Sequence, residues 1–492
     1  MRALAAFALA LASCVAPPLF SPPQQNQCEP SIEFNQSLRN KVDVLFMVDN
    51  SASMAPMSDE LKARFQEFLK VFSQLAQDGT YADLHIGVVT SDYGAGATGA
   101  PGCNPSPGGQ LGKLQAVGQF AGANCKAPMG ANFIAYKFTA DGSDPNNLPT
   151  GQDLAATFTC MASVGDHGCG FEHQLESVYA ALHNDLPENA GFLRDDAYLA
   201  VVFVTNEDDA SAPPDTDVFD KAKTAQYGYE DSYSRQTRFA IYCCPQGMMA
   251  CDESQKTFPP YGASGGPLAG CESAPVPPGK QYDVSRYVDF FTLSAAKGGI
   301  KQDARDVILV AIDGPADPFN VILGNPADFD QAQCGQLNED SNPPCVPVLQ
   351  HSCQNPQDPV FFADPSVRLN YVVKQAKQSF ISSICDSDFT GALQGVGELI
   401  KSKLVKGCLP FNLSDHPDCV VEDVIGNQDG TTTVNVIPAC DSPPTAYPCW
   451  TIDPSTDCSQ ISPQGVALNI NRNGQTAPAH TVAKVACGTD CQ

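Results

Sequence analysis

One stretch constrains this chain more than any other: Val42-Asp43-Val44-Leu45-Phe46-Met47-Val48-Asp49-Asn50-Ser51-Ala52-Ser53-Met54. Residues 42–48 are nearly all apolar, as in a strand buried on both faces. The run stops abruptly in Asp-x-Ser-x-Ser. Where such a strand ends the backbone turns, and short oxygen-bearing side chains can converge. One carboxylate and two hydroxyls within five residues suit a hard divalent cation, which takes oxygen ligands and keeps several waters. The alternative is that Asp49 and Ser51 only cap the next helix. Their position between a buried strand and an amphipathic helix favours the cation.

The pattern then alternates. Leu61, Phe65, Phe68, Leu69, Phe72 and Leu75 form one stripe of a helix at about 58–76, with Ser58 to cap its start and Gly79 past its end. Leu84–Val89, Tyr198–Val204 and Val307–Ile312 read as strands, and 172–183, 283–296, 366–378 and 388–405 as helices. Such alternation predicts an α/β fold with a doubly wound, mainly parallel sheet. Cys- and Pro-rich segments at about 95–150, 210–280 and 313–362 read as insertions in a unit spanning 32–407. From 408 to 492, seven cysteines among short β-like runs predict a small disulfide-rich β module.

Charge and cysteine usage bound the function. With 28 basic and 55 acidic residues the formal charge is −27, which argues against nucleic acid and anionic headgroups as partners. Residues 1–13 read as a signal peptide whose apolar run is too short to span a bilayer. It ends in Leu11-Ala12-Ser13-Cys14, which resembles a bacterial lipobox, so Cys14 is expected to carry lipid. The alternative is ordinary cleavage that leaves Cys14 an incidental thiol. Residues 14–31, rich in Pro, Gln and Ser, then form a tether. Of 21 cysteines, setting Cys14 aside leaves 20, enough for ten disulfides in an exported protein. His167, Cys169 and His173 lie close together, but with no nearby Cys at zinc-ligand spacing.

Each apolar strand ends in oxygen-bearing residues: Asp49-Asn50-Ser51, Thr90-Ser91-Asp92, Thr205 to Asp209, and Asp313. Ligands of open α/β sheets bind outside the carboxyl ends of the strands, so these groups should gather on one edge. The spacing of Asp49, Ser51 and Ser53 resembles the metal-ion-dependent adhesion site (MIDAS) of von Willebrand factor A domains. Gly168-Cys169-Gly170-Phe171-Glu172, Phe203-Val204-Thr205-Asn206-Glu207-Asp208-Asp209, His85-Ile86-Gly87-Val88-Val89 and the Cys-rich tail extend the likeness. Over most of residues 40–491 the chain resembles the large von Willebrand factor A lipoproteins of myxobacteria and related delta-proteobacteria. That resemblance implies Mg²⁺, or Ca²⁺ or Mn²⁺, held by Asp49, Ser51 and Ser53. It also implies a protein partner whose Asp or Glu carboxylate fills the open coordination position, and a place in the cell envelope.

The sequence departs from the family at both later loops. The family's second loop supplies a Thr; here Glu172 is the available ligand. Asn206 stands where the family has Asp, with Glu207 or Asp208 to compensate. The alternative for Glu207, Asp208 and Asp209 is a run of solvated loop acids. His167 and His173 flank the second loop and read as ordinary loop histidines, and Asn427-Gln428-Asp429-Gly430 reads as a plain turn.

Three functions compete. The first is a cation-dependent binding or adhesion protein. The second is a structural envelope protein with a degenerate metal site, motivated by the missing Thr and by Asn206. The third is a metal-assisted hydrolase, against which stands the lack of any nucleophile–base pair in recognisable context; the chain is therefore not expected to be an enzyme. Val15, rather than Asp, follows Cys14 and points to the outer membrane, with the lipid as the sole membrane attachment. Cys14→Ser is expected to release the protein from membranes; association unchanged in a fractionation assay would refute the lipobox.

Overall fold

The structure is a computed structural model. It describes residues 31–487 except 36–39, 78–79, 97–102, 104–107, 184, 224–238, 246, 258–265, 275–279, 326–330, 337, 339, 405–406, 410–411, 414–418, 427–430, 441–445, 456–457, 459–461, 474, 476 and 479–480. The signal peptide, Cys14, most of the tether and the 427–430 turn lie outside the described residues.

The apolar runs become the strands of one six-stranded sheet. These are β1 (Lys41–Val48), β2 (Asp83–Thr90), β3 (Ile134–Lys137), β4 (Tyr198–Val204), β5 (Val307–Asp313) and β6 (Gln378–Ser383), in the order β6-β5-β4-β1-β2-β3. Four neighbouring pairs are parallel, and β3 closes one edge antiparallel to β2. β1 and β4 are central and adjacent, with Val42 opposite Tyr198 and Val48 opposite Val204. Every residue of β4 is buried, as its uniformly apolar composition requires.

Among the described residues six helices accompany the sheet: α1 (Ala55–Gln77), α2 (Leu154–Ala162), α3 (Gln174–His183), α4 (Ser285–Thr292), α5 (Val367–Gln375) and α6 (Thr390–Leu404). Side chains of α1, α2 and α6 pack with Val44, Phe46, Val202 and Val310 on one face. Those of α3, α4 and α5 pack with Leu45, Met47, Val201 and Leu309 on the other. Helix α1 starts three residues before Ser58, which is buried within it rather than capping it.

The expected fold class is nevertheless overturned. The described strands fall into six sheets, and five of them are wholly antiparallel: one of four strands, one of three and three of two. The chain is therefore a mixed structure of several small antiparallel sheets around one mixed sheet, not a doubly wound, mainly parallel α/β protein. The physical reason lies in the segments read as insertions. Residues 210–280 and 313–362 build their own strands, among them Gly266–Leu268, Phe319–Gly324 and Val346–Leu349, which pair in one three-stranded sheet. The expected disulfide-rich β region past residue 408 fits in part. Its four-stranded sheet also takes Ser31–Asn35, which pairs with Thr481–Cys487.

Disulfides staple these segments. The bonds are Cys103–Cys169, Cys125–Cys160, Cys243–Cys271, Cys244–Cys251, Cys334–Cys345, Cys353–Cys385, Cys408–Cys458, Cys419–Cys487 and Cys440–Cys449. Every cysteine among the described residues is thus oxidised, as exported folding implies.

At the amino ends of the strands, charges are compensated. The Arg194 guanidinium donates from Nε to Asp43 Oδ1 (2.7 Å) and from Nη1 to Asp83 Oδ1 (2.5 Å), and its backbone N–H donates to Asp43 Oδ2 (2.7 Å). Lys301 Nζ reaches to within 3.9 Å of Asp43. At the core's centre Phe65 stacks on Phe158 with ring centroids 3.5 Å apart, and Phe46 stands edge-on to both. Phe65→Ala is expected to lower stability by about 3–5 kcal/mol in urea unfolding. A loss under ~1 kcal/mol would show that this cluster does not carry the core.

Candidate metal centre

The carboxyl ends of β1, β2 and β4 converge, and Asp49 lies at their meeting point. It is fully buried. Oδ1 accepts hydrogen bonds from the Ser51 backbone N–H (2.8 Å) and from Ser91 Oγ (2.9 Å); Oδ2 accepts one from Thr205 Oγ1 (2.6 Å). Ser91 and Thr205 directly follow β2 and β4, so parallel register brings them to Asp49, while Ser51 reaches it from the same turn. Ser51 precedes a single 3-10 turn at Ala52–Met54, and its hydroxyl makes no capping bond there. The hydroxyl instead lies 3.4 Å from Ser53 Oγ, which donates to Asn206 Oδ1 at 3.1 Å. Ser51, Ser53 and Asn206 therefore form one chain of neutral oxygens beside Asp49.

The loop before α3 closes over this crest. The Gly168 N–H donates to the Asn50 carbonyl at 2.7 Å. A Cβ at Gly168 would lie 2.3 Å from Asn50 Oδ1, so any larger residue would displace the Asn50 side chain. The loop then places Glu172, 1% exposed, toward Asp49. Neither carboxyl oxygen of Glu172 meets a donor of ordinary geometry among the described residues. The Glu207 carboxyl approaches closely enough to share a proton with it. Burial, then the Asp49 charge, pushes Glu172 up to about 8. Burial and Glu172 likewise hold Glu207 well above the ordinary carboxylate range. Burial raises Asp49 too, against the hydrogen bonds from Thr205, Ser51 and Ser91.

The remaining acids divide by role. Asp208 turns away from the crest and accepts from the backbone N–H groups of Arg368 (3.0 Å) and Leu369 (3.1 Å), capping α5. Burial outweighs these bonds and pushes it up to about 6. Asp209 accepts from the Leu175 N–H at 2.9 Å and pairs with Arg368 Nη2 at 3.1 Å, both ions buried. None of the three acids at 207–209 is solvated. Asp313, at the end of β5, is buried and accepts from Asn370 Nδ2 at 2.9 Å. His173 is buried beside Tyr93 and Phe219, and burial lowers it to about 4. His167 lies at the surface stacked on Phe120.

One contributor was not visible in the sequence. Asp364, just past the third Cys-rich segment, is held at the crest by its N–H on the Asn206 carbonyl (2.9 Å) and by His351 Nδ1 on its Oδ1 (2.7 Å). It acts electrostatically on both Glu172 and Glu207. No local motif marks it; a single Asp after Phe-Phe-Ala carries no signal.

These residues suit a hard cation in kind. The donors are all oxygens, and the Glu172 carboxyl is buried with only the Glu207 carboxyl to share a proton, so its ionised form is costly unless a positive charge faces it. No three His, Cys, Asp or Glu residues among the described ones converge as a ready metal cluster. A cation here would rest on Ser51, Ser53, Asn206 and water, with Asp49 and Glu172 as its counter-charges.

No family model matches the chain, and no curated protein matches it. Among solved structures, the adhesive tip pilin GBS104 of Group B Streptococcus agalactiae aligns at TM-score 0.29 and 10% identity, over 93% of this chain and 80% of that one. The pilus adhesin SpaC of Lactobacillus rhamnosus GG aligns at 0.26 and 10%, over 93% and 40%. The pilus adhesin RrgA of Streptococcus pneumoniae aligns at 0.22 and 8%, over 93% and 57%. Likeness at this level carries no argument about the present chain.

A carboxyl whose folded pKa is raised stabilises the fold below its unfolded pKa, and the contribution is lost as pH rises through the folded value. For Glu172 the window runs from 4.5 to about 8. In EDTA the melting temperature is therefore expected to fall as pH rises across that window, and less so in Glu172→Gln. A flat profile shared by both proteins would remove the electrostatic account of the crest.

Proposed function

We propose that the chain is an exported cell-envelope protein that binds a divalent cation at the β1–β2–β4 crest and, through it, an acidic group on a protein partner. In this reading the site is MIDAS-like, and the chain is related to the von Willebrand factor A lipoproteins it resembles in sequence. Mg²⁺ is the first candidate, with Ca²⁺ or Mn²⁺ as alternatives, since all are satisfied by oxygen ligands. The observation that carries this reading is the linked set Asp49, Ser51, Ser53 and Asn206, drawn from two strand ends, with the buried Glu172–Glu207 carboxyl pair beside it. A cation would give an acidic protein local means of holding an acidic ligand.

Export is supported by the nine disulfides among the described residues, which suit an oxidising compartment. Among the described residues no helix is long and apolar enough to cross a membrane. Membrane attachment then rests on lipid at Cys14, in the outer membrane. A binding role is preferred to an enzymatic one because the crest offers a place for charge but no activated nucleophile.

A second reading has an observation of its own. Asp49, Asn50, Ser51, Glu172 and Asn206 are all at most 3% exposed. Burial that complete favours a structural cation that fastens the strand ends, without a partner.

Calorimetric titration with Mg²⁺, Mn²⁺ and Ca²⁺ tests the common premise. Saturable binding by the full chain, lost in Asp49→Ala, is the expected result. Heat indistinguishable from dilution for all three ions would leave both readings without a cation.

A further inference from the structure

The chain fixes Glu172 at the crest from several directions. Cys169 is tied to Cys103 and fully buried. The Phe171 ring stacks on Phe219 with centroids 3.9 Å apart. The Glu172 carbonyl accepts from the Ala210 N–H at 2.7 Å, and the next N–H, of His173, donates to the Ser91 carbonyl at 2.9 Å. The backbone on both sides of Glu172 is thus bonded to the segments that follow β2 and β4. The side chain is 1% exposed and lies near enough to Asp49 for that charge to act on it.

The groups around it explain what it can meet there. The charges that act on it most strongly, Asp49 and Asp364, are negative. Arg368 is taken by Asp209, and His351 by Asp364. Once ionised, a carboxylate buried against like charges, with the Glu207 carboxyl as its one close polar partner among the described residues, needs a counter-ion that those residues do not supply. The hydroxyl and amide oxygens of Ser51, Ser53 and Asn206 offer a cation neutral ligands but little charge.

We infer that Glu172 is the carboxylate that completes the cation's shell from within the chain, in the position a partner's Asp or Glu would otherwise take. The inference rests on the cation reading above and adds an internal ligand to it. It makes the loaded site self-capped. An external carboxylate gains access only if Glu172 leaves, and the Gly168–Asn50 contact and the Cys103–Cys169 bond hold its loop closed. The same contact accounts for the burial of a crest whose oxygens otherwise suit an exposed docking ion.

Chemical rescue tests this. Binding of Mn²⁺ to the full disulfide-bonded chain is followed by the electron paramagnetic resonance signal of free Mn²⁺, in chloride and in acetate. Wild-type affinity is expected to be the same in both. Glu172→Ala, which opens a space of about the size of acetate, should bind at least about tenfold more weakly in chloride, as loss of a charged ligand implies, and regain most of that in acetate. Glu172→Gln keeps the shape and fills the space, so it should be weakened without rescue. Near-ultraviolet circular dichroism confirms that each variant is folded. If either variant does not fold, the other still reads the loss, and a wild-type protein that is insensitive to acetate still supports a closed position. Equal Mn²⁺ affinity in all three proteins, with binding lost in Asp49→Ala, would overturn the internal ligand and leave the cation site standing. Acetate that tightens Mn²⁺ binding in the wild type would overturn it as well, because the position would be open. No Mn²⁺ binding by the wild type would overturn both.

Discussion

The hydrogen bond from Thr205 Oγ1 to Asp49 Oδ2, at 2.6 Å, is the contact on which the crest depends. It joins the ends of the two central strands and fixes the first residue of a loop whose next four residues each brace a different element. Asn206 takes the Ser53 hydroxyl and the Asp364 N–H. Glu207 meets Glu172. Asp208 caps α5, and Asp209 holds Leu175 in α3 as well as Arg368. Gln174 Nε2 donates back to Thr205 Oγ1 at 3.0 Å, closing the circuit. If Thr205 shifts, the first loop, the second loop and two helices lose their common reference.

The two ends of the sheet treat charge in opposite ways. At the amino end, Asp43 is buried but meets Arg194 and Lys301, a compensated cluster of the kind that holds an architecture together. At the carboxyl end, Asp209 has Arg368, whereas Asp49, Glu172 and Glu207 face one another. The chain can pair buried acids with arginine and does so within a few residues of the crest. That three acids there meet mainly hydroxyls, amides and each other is the physical reason to read the crest as a site rather than as core. Local conflict of this sort is what functional positions tend to retain.

Some of this was legible in the sequence. The runs 42–48 and 198–204 are so apolar that both had to be central, and parallel pairing then put Asp49 beside Thr205. Asp49, Ser51, Ser53 and Asn206 are brought together as their strand-end positions suggested, and Glu172 joins them although no family residue points to it. Other features carried no signal. Strand β6, Gln-Ser-Phe-Ile-Ser-Ser, is a half-buried edge whose polar composition hides it. Helix α2 lies just past a loop-rich Cys segment, and its nine residues are too few for a clear stripe. The fold class failed because the Cys- and Pro-rich segments that read as insertions in one α/β unit hold short, weakly apolar strands, which disulfides let pair into sheets of their own. Asp208 could not be separated from its neighbours, since only the distant Arg368 and Leu369 N–H groups reveal it as a cap.

We propose that the buried acids of the crest face a cation. Proton release on binding measures this most directly. Burial and the Asp49 charge place Glu172 at about 8, so at neutral pH it is largely protonated, and a cation must displace that proton to bind. Titration of Mg²⁺, Ca²⁺ or Mn²⁺ in buffers of different ionisation enthalpy counts the protons released. The account predicts a release at pH 7 that diminishes well above pH 8 and is reduced in Glu172→Gln. Cation binding with no proton release at neutral pH would contradict it, because the ion would then be held somewhere other than among these carboxyls.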